Sequence, residues 1–384
     1  MNIGFEAKRF FTNYTGLGNY SRFVIDALSK TSAHDNLYLF TPRSVDHAET
    51  RDILKRQNVN VVAPSGLYAQ PFISALWRTW AVSKNPAMKQ LHVFHGLSQE
   101  LPIGLPSQLK KVVTVHDLIF LRYPQFYNAV DVSIYTRKVR SACENADRII
   151  AISQQTADDV KDLLKLTDPS KIDVVYQGCH PIFKTRYSQA ELQAVRQKYS
   201  LPDQFILNVG TVEERKNLML IIKALASLPA HERLPLIVVG RHTSYQQTVL
   251  GEIKQRKLEG VVHFLTAVNF HDLPAIYQQA HLFIYPSFFE GFGIPLVEAI
   301  ASGLPVITST GSCFREAAGP GGVYVDPSSA ENLASEIRSV LLDTGRKDAL
   351  ISQGREYIKR FEPETIAQNL RSVYRDLVPQ PTSV

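Results

Sequence analysis

The chain has 384 residues, of which 45% are hydrophobic and 20% charged, with a formal net charge of +6. That length suits two domains or three, at roughly 100–200 residues each, and a chain of this size can bury most of its apolar surface without covalent staples. Length and composition together exclude a disordered chain, a disulfide scaffold and a coiled coil.

In chain order, Met1 leads straight into a strand-like Asn2-Ile3-Gly4-Phe5, with no basic segment followed by an apolar one, so no signal peptide is expected. Short apolar runs then predict buried strands at Asn36–Phe40, Asn58–Val62, His92–Phe94, Val112–Val115, Arg148–Ile152 and Ile172–Val175. Helical spacing separates several of them, at Tyr20–Ser29, Val130–Asn145 and Gln155–Leu166. The polar stretch Lys184–Ser200 reads as a transition. After it a second series predicts strands at Phe205–Val209, Leu236–Val239, Val262–Leu265, Leu282–Tyr285, Val306–Thr308 and Val323–Val325. Its helices are expected at Leu218–Ala226, Leu273–Gln279, Pro295–Ala301 and Ala330–Leu342. Val/Ile runs without strict alternation suit parallel strands covered on both faces, and repeated βα units imply doubly wound sheets. The expectation is an α/β protein with two Rossmann-like domains, 1–186 and 187–363, facing a central cleft, with a last helix within 364–384 packing back on the first domain.

Three cysteines (Cys143, Cys179, Cys313) lie far apart without a CxxC pair, so neither a disulfide framework nor a zinc cluster is expected, and the compartment is read as reducing. No stretch reaches 18 consecutive apolar residues, which predicts a cytoplasmic protein without a membrane-spanning helix. Charge is uneven. Residues 1–190 carry 23 basic and 16 acidic side chains, residues 191–384 carry 19 and 20. A basic half points to an anionic partner, or is simply a solvated face. Nucleic acid is disfavoured, because no dense Lys/Arg run is interleaved with aromatics.

In open α/β sheets ligands bind beyond the carboxyl ends of the strands, so the residues there carry the functional reading. The most informative are Tyr285-Pro-Ser-Phe-Phe-Glu290-Gly-Phe-Gly293-Ile-Pro-Leu-Val-Glu298. Gly291 and Gly293 let backbone N–H groups approach a ligand, and the helix start beyond them favours anions. Two carboxylates, Glu290 and Glu298, bracket this turn, with Glu298 expected near the first helical turn; the set suits a sugar or ribose carrying phosphate. After the strand ending at Val209, Gly210 is followed by Arg215 and Lys216, a planar fork and a point charge able to grip a diphosphate. His116, after Val115, is a candidate for a sugar hydroxyl or phosphate, or is a structural residue satisfied by Asp117; His95 is a weaker candidate of the same kind. Gly16 and Gly18 read as a flexible loop rather than a dinucleotide fingerprint, because Ser21 stands at the third glycine position and no acidic residue follows at the expected spacing. No P-loop, HExxH, GxSxG or carboxylate-rich metal loop is present.

The block FFEGFGIPLVEA with the following SGLPVI strongly resembles glycosyltransferase family 4. GLGNYSRFVIDAL, FHGLSQELP, VVTVHDLIF, ADRIIAIS, IDVVYQGCHPIF, VGTVEERKN and VYVDP extend the likeness, in order, over nearly the whole chain. The resemblance implies a GT-B fold and retaining transfer of a hexose from a nucleotide sugar to a glycan or lipid-linked acceptor in cell-surface polysaccharide synthesis. GDP-mannose is favoured by the phrasing, UDP- or ADP-sugars being alternatives, and no other cofactor or metal is implied. By residue, it implies that Glu290 contacts the donor sugar, with backbone amides of Phe292 and Gly293 in support, that Glu298 binds the ribose, and that Lys216 holds the diphosphate with help from Arg215. His116 would lie on the sugar face, and Gly16 and Gly18 on the phosphate and acceptor side. Thr211 stands where many members carry Arg, a gap that Arg215 is expected to fill, and Glu316 matches a commonly acidic position. The basic first half also suits peripheral contact with an anionic inner membrane face. A sugar-nucleotide epimerase and a non-catalytic sugar-nucleotide-binding protein of the same fold are the alternatives.

Overall fold

The computed structural model describes residues 1–32, 34–46, 48–64 and 76–378. The chain divides into two compact units: Met1–Gly178 with the segment from Phe361 onward, and Cys179–Arg360.

Among the described residues, the first unit holds seven strands: β1 (Asn2–Glu6), β2 (Asn36–Phe40), β3 (Val59–Val62), β4 (Val93–Gly96), β5 (Lys110–Val115), β6 (Arg148–Ala151) and β7 (Ile172–Val174). They form one parallel sheet in the order β3-β2-β1-β4-β5-β6-β7. Val112, Val113, Val115 and Ile149 are fully buried, the two-sided burial that favours Val and Ile at successive positions in the sequence. The helix Pro363–Leu377 packs on the helix Gly16–Thr31. It buries Ile366, Ala367, Leu370, Val373 and Tyr374, one stripe at helical spacing.

The second unit holds six strands among the described residues: β8 (Ile206–Val209), β9 (Leu236–Val239), β10 (Val262–Leu265), β11 (Leu282–Tyr285), β12 (Val306–Ser309) and β13 (Gly322–Val325). Their order is β10-β9-β8-β11-β12-β13, again parallel. Leu236, Ile284 and Ile307 share a core with Ile221 and Leu225 of the helix Leu218–Ser227 and with Leu333 and Ile337 of the helix Ala330–Leu342. Both units are doubly wound Rossmann-like sheets, with order reversing between β1 and β4 in one and between β8 and β11 in the other.

Two local expectations are corrected. The stretch Lys184–Ser200 contains a helix, Gln189–Tyr199, opened by a capping box in which Ser188 and Glu191 satisfy each other's backbone amides. None of its residues is buried, so no apolar period announced it. Gly16 and Gly18 are no flexible loop: they form the first turn of the helix Gly16–Thr31. The Asn13 side chain precedes that turn and accepts hydrogen bonds from the Thr15 and Gly18 amides at 2.9 and 3.1 Å.

Candidate functional site

The switch point of the second sheet is built by a deliberate loss of pairing. β8 and β11 pair only at Ile206–Leu282 and Leu207–Phe283. The next residue of β8, Asn208, is buried and donates its side-chain Nδ2 to Ile284 O at 2.8 Å, in place of a ladder bond. Beyond it the loops after the two strands carry the candidate residues, at the place where open parallel sheets bind ligands.

These loops are stapled to each other. Phe288 N donates to Arg215 O at 2.9 Å, Arg215 Nη1 to Phe289 O at 2.5 Å, and Asn217 Nδ2 to Pro286 O at 3.1 Å. Phe289 and Phe292 are buried and anchor the second loop, while Gly293 adopts φ +89°, a left-handed conformation that favours glycine, and caps the helix Ile294–Ala301. Gly210 lies in the same cluster, where an added Cβ would stand 3.7 Å from the Lys216 stem and 3.8 Å from the Tyr285 ring.

Glu290 is 8% exposed and lies between two cations. Its Oε1 is 2.6 Å from Lys216 Nζ and its Oε2 is 2.9 Å from Arg215 Nη1. Tyr285 adds a phenol that donates to Glu290 Oε1 at 2.9 Å, and Lys216 Nζ lies 2.5 Å from the same phenol oxygen. Burial opposes ionisation of Glu290, but Lys216 and Arg215 outweigh it and hold the pKa down at about 2. Burial likewise opposes the Arg215 cation, yet Glu290 and Glu213, the latter at 2.6 Å, raise its pKa. Sequence reasoning missed Tyr285, read only as the end of a strand, and Glu213. The backbone of Glu290 is fixed too: its carbonyl accepts from Ser312 Oγ at 3.1 Å and Cys313 Sγ at 3.2 Å.

Glu298 stands apart from this cluster. It lies just past the first turn of its helix, which begins at Ile294, as expected. Its Oε2 accepts from Tyr277 Oη at 3.2 Å. Burial raises its pKa to about 7, against the lowering effect of that hydrogen bond.

In the first unit, His116 follows β5 and is buried. Its partner is Leu97 O, 2.8 Å from Nε2, rather than Asp117, whose carboxylate accepts from the Ile119 amide. A carbonyl only accepts, so Nε2 carries the proton and Nδ1 is left as an acceptor. Burial lowers the His116 pKa to about 4, so the ring is neutral. Tyr20, on the helix that Gly16 and Gly18 begin, packs edge-on against it at 4.6 Å between centroids. His95 is structural: buried, with Nδ1 2.7 Å from Tyr374 Oη and Nε2 2.8 Å from Thr114 Oγ1. Among the described residues no group of three or more His, Cys, Asp or Glu is placed to hold a metal ion.

Two doubly wound parallel units, one with a carboxylate clasped by two cations at its switch point, define the GT-B class of fold. A glycosyltransferase from Rickettsia africae superposes on 99% of this chain and 99% of its own with TM-score 0.74 at 17% identity. Anabaena HepE, solved with UDP and glucose, covers 98% of this chain and 100% of its own with TM-score 0.72 at 20% identity. Residues 14–181 match the model of Glycosyltransferase Family 4, and residues 192–357 that of Glycosyl transferases group 1. The chain belongs to the family 4 glycosyltransferases. A curated relative, the O-antigen chain mannosyltransferase B of Escherichia coli, is 27% identical over 390 residues, spanning 98% of this chain and 100% of that protein.

Proposed function

We propose that this glycosyltransferase is a retaining hexosyltransferase that moves mannose from GDP-mannose to a glycan or lipid-linked saccharide in cell-surface polysaccharide synthesis, with no metal requirement. The observation that carries the reading is the Glu290 carboxylate between Lys216 and Arg215 at the β8/β11 switch point. Likeness to an O-antigen mannosyltransferase over nearly the whole chain supports mannose and a polysaccharide acceptor. UDP- and ADP-sugars are the alternative donors. No helix among the described residues is long and apolar enough to cross a membrane. The enzyme is read as working in the cytoplasm, peripherally at the anionic inner face where its acceptor would be presented.

Both cations are committed to Glu290 in the structure. The donor's diphosphate takes the place of the Glu290 carboxylate opposite Lys216 and Arg215, and Glu290 turns its ionised carboxylate to the sugar hydroxyls. Glu298 accepts from the ribose hydroxyls, Gly291, Phe292 and Gly293 line the sugar and phosphate, and His116 Nδ1 accepts from a sugar hydroxyl. As the bond from C1 to the phosphate oxygen breaks, negative charge grows on the diphosphate and meets cations already in place, the electrostatic term that dominates many enzymes. The acceptor oxygen bonds to C1 on the face the diphosphate leaves, and its proton passes to a departing phosphate oxygen, which preserves the anomeric configuration.

The test is acceptor-dependent release of nucleoside diphosphate from GDP-, UDP- and ADP-sugars, with and without EDTA, and NMR assignment of the new linkage. Release from GDP-mannose alone, insensitive to EDTA and giving the same anomer, is expected. No release from any donor overturns the reading; an EDTA block or an inverted anomer overturns the corresponding part.

A further inference from the structure

The two carboxylates on Arg215 are not equivalent. Glu290 reaches Nη1 at 2.9 Å from the loop after β11. Glu213 reaches Nη2 at 2.6 Å from the same turn of chain as Arg215 itself. Glu213 opens the short helical turn Glu214–Lys216, and its carbonyl accepts from Lys216 N at 3.0 Å. The residue before it is pinned on both sides: Val212 N donates to Arg241 O at 2.9 Å, and Val212 O accepts from Thr243 Oγ1. A rearrangement that carries Glu290 away from Arg215 therefore leaves Glu213 where it is.

The two cations are also treated differently. Lys216 contacts Glu290 and the uncharged phenol of Tyr285, with no second carboxylate among the described residues. Arg215 alone keeps a carboxylate once Glu290 has gone, and that carboxylate is the more exposed of its two, at 38% against 10%. Lys216, Arg215 and Glu213 then carry a single net positive charge between them. A nucleotide sugar is a diphosphate diester with about two negative charges, whereas the nucleoside diphosphate it releases ends in a monoester and carries about three. A fixed carboxylate repels an anion in proportion to that anion's charge. Glu213 thus acts more strongly against the released nucleotide than against the donor.

We infer that Glu213 is a positioning residue with a second effect: it keeps Arg215 aimed while Glu290 is turned to the sugar, and it weakens the hold on the nucleoside diphosphate relative to its sugar ester, so that product leaves. The inference rests on the donor reading above.

The test is calorimetric titration of the full chain with GDP and GDP-mannose, or with the uridine or adenosine pair where that is the pair bound. Glu213→Gln should tighten the nucleoside diphosphate about fivefold and its sugar conjugate by less, roughly twofold. Product inhibition should strengthen in parallel. A residue with a merely structural role would weaken both ligands when lost. Glu213→Asp keeps the charge and should keep the wild-type ratio of the two affinities. Glu214→Gln removes the same charge from the exposed position next door, which has no ion pair among the described residues, and should leave that ratio unchanged. If Glu213→Gln fails to fold, Glu213→Ala makes the same comparison. The inference alone is overturned if the variant weakens both ligands, shifts both equally, or is matched by Glu214→Gln. A wild-type chain that binds no nucleoside diphosphate overturns the donor reading with it. The expected affinity shifts without nucleotide release from any donor would sink the transferase reading and leave the role of Glu213 standing.

Discussion

Lys216 Nζ lies 2.6 Å from Glu290 Oε1, and Arg215 closes on the other oxygen at 2.9 Å. The carboxylate therefore occupies the cations that a diphosphate would need. Glu290→Gln should cut sugar transfer by two orders of magnitude or more while tightening binding of free nucleoside diphosphate severalfold, because both cations are released. Arg215 keeps Glu213, so the fold should hold. Steady-state kinetics with calorimetry checks this, and unimpaired transfer would remove Glu290 from the mechanism.

Tyr285 hydroxyl bridges the same pair, while its ring lies parallel to Phe283 at 6.0 Å and edge-on to Phe314 at 6.5 Å. Tyr285→Phe keeps the ring packing and deletes one hydroxyl. A buried hydrogen bond to charged groups contributes about 1.5–3 kcal/mol, so the thermal midpoint should fall by several degrees, and kcat roughly ten- to hundredfold as Glu290 loses one of the groups that orient it. A variant with wild-type kcat would show that Lys216 and Arg215 orient Glu290 without the phenol.

In its proposed ribose role Glu298 would give the site a pH dependence. Its folded pKa of about 7 stands above the ordinary value of 4.5. Between those values the folded chain holds a proton that the unfolded chain lacks, so acidification through the window stabilises the fold, and that contribution is lost as pH rises through 7. Ribose hydroxyls need the ionised carboxylate. Nucleotide-sugar affinity should therefore fall severalfold from pH 8 to pH 6, although the donor's diphosphate diester does not titrate there. Glu298→Gln should flatten the profile, and a wild-type affinity flat over this range would refute the assignment.

His95 and His116 make the opposite prediction for the first unit. Burial holds their pKa values at about 3 and about 4, well below the ordinary 6.5. The folded state refuses protons that the unfolded state accepts, so their contribution is complete above pH 6.5 and drains away as pH falls toward 4. NMR titration should show two histidine rings still neutral at pH 5. Tyr374→Phe strips His95 Nδ1 of its partner, a loss of about 1–3 kcal/mol, and should lower the midpoint of the first unit by several degrees.

Gly16 and Gly18 can be told apart by one methyl group each. A Cβ on Gly18 would sit 1.8 Å from Asn13 O, whereas a Cβ on Gly16 would meet nothing within 4 Å. Gly18→Ala should destabilise the first unit. Gly16→Ala should leave its stability intact, so a fall in transfer there reports a ligand close to the backbone. Equal midpoints for the two variants would contradict the geometry.

Strand positions were legible because the central strands are buried on both faces and keep short Val, Ile and Leu runs, whereas the edge strands β3 and β10 are partly exposed and carry Asn60 and His263. The helix Gln189–Tyr199 was hidden for the converse reason. Glu290, Arg215 and Lys216 were legible as residues at strand ends, but their mutual pairing was not, since it depends on Asn208 ending the β8–β11 ladder early. Tyr285 was hidden because a buried aromatic at a strand end looks like core, and only its hydroxyl distinguishes it. His116 was found for its place after β5, yet its tautomer is dictated by Leu97, nineteen residues away.

The return of the last helix to the first unit makes the second unit an insertion. The chain leaves its host after Gly178 and re-enters at Phe361, and the rings of Tyr176 and Phe361 meet edge-on at 5.5 Å on the host side. Exit and entry are thus one doorway. A linker of a few residues across it would leave the host with every one of its strands and with the packed helices Gly16–Thr31 and Pro363–Leu377, and a guest unit of the same doubly wound kind could be spliced in at the same two cuts.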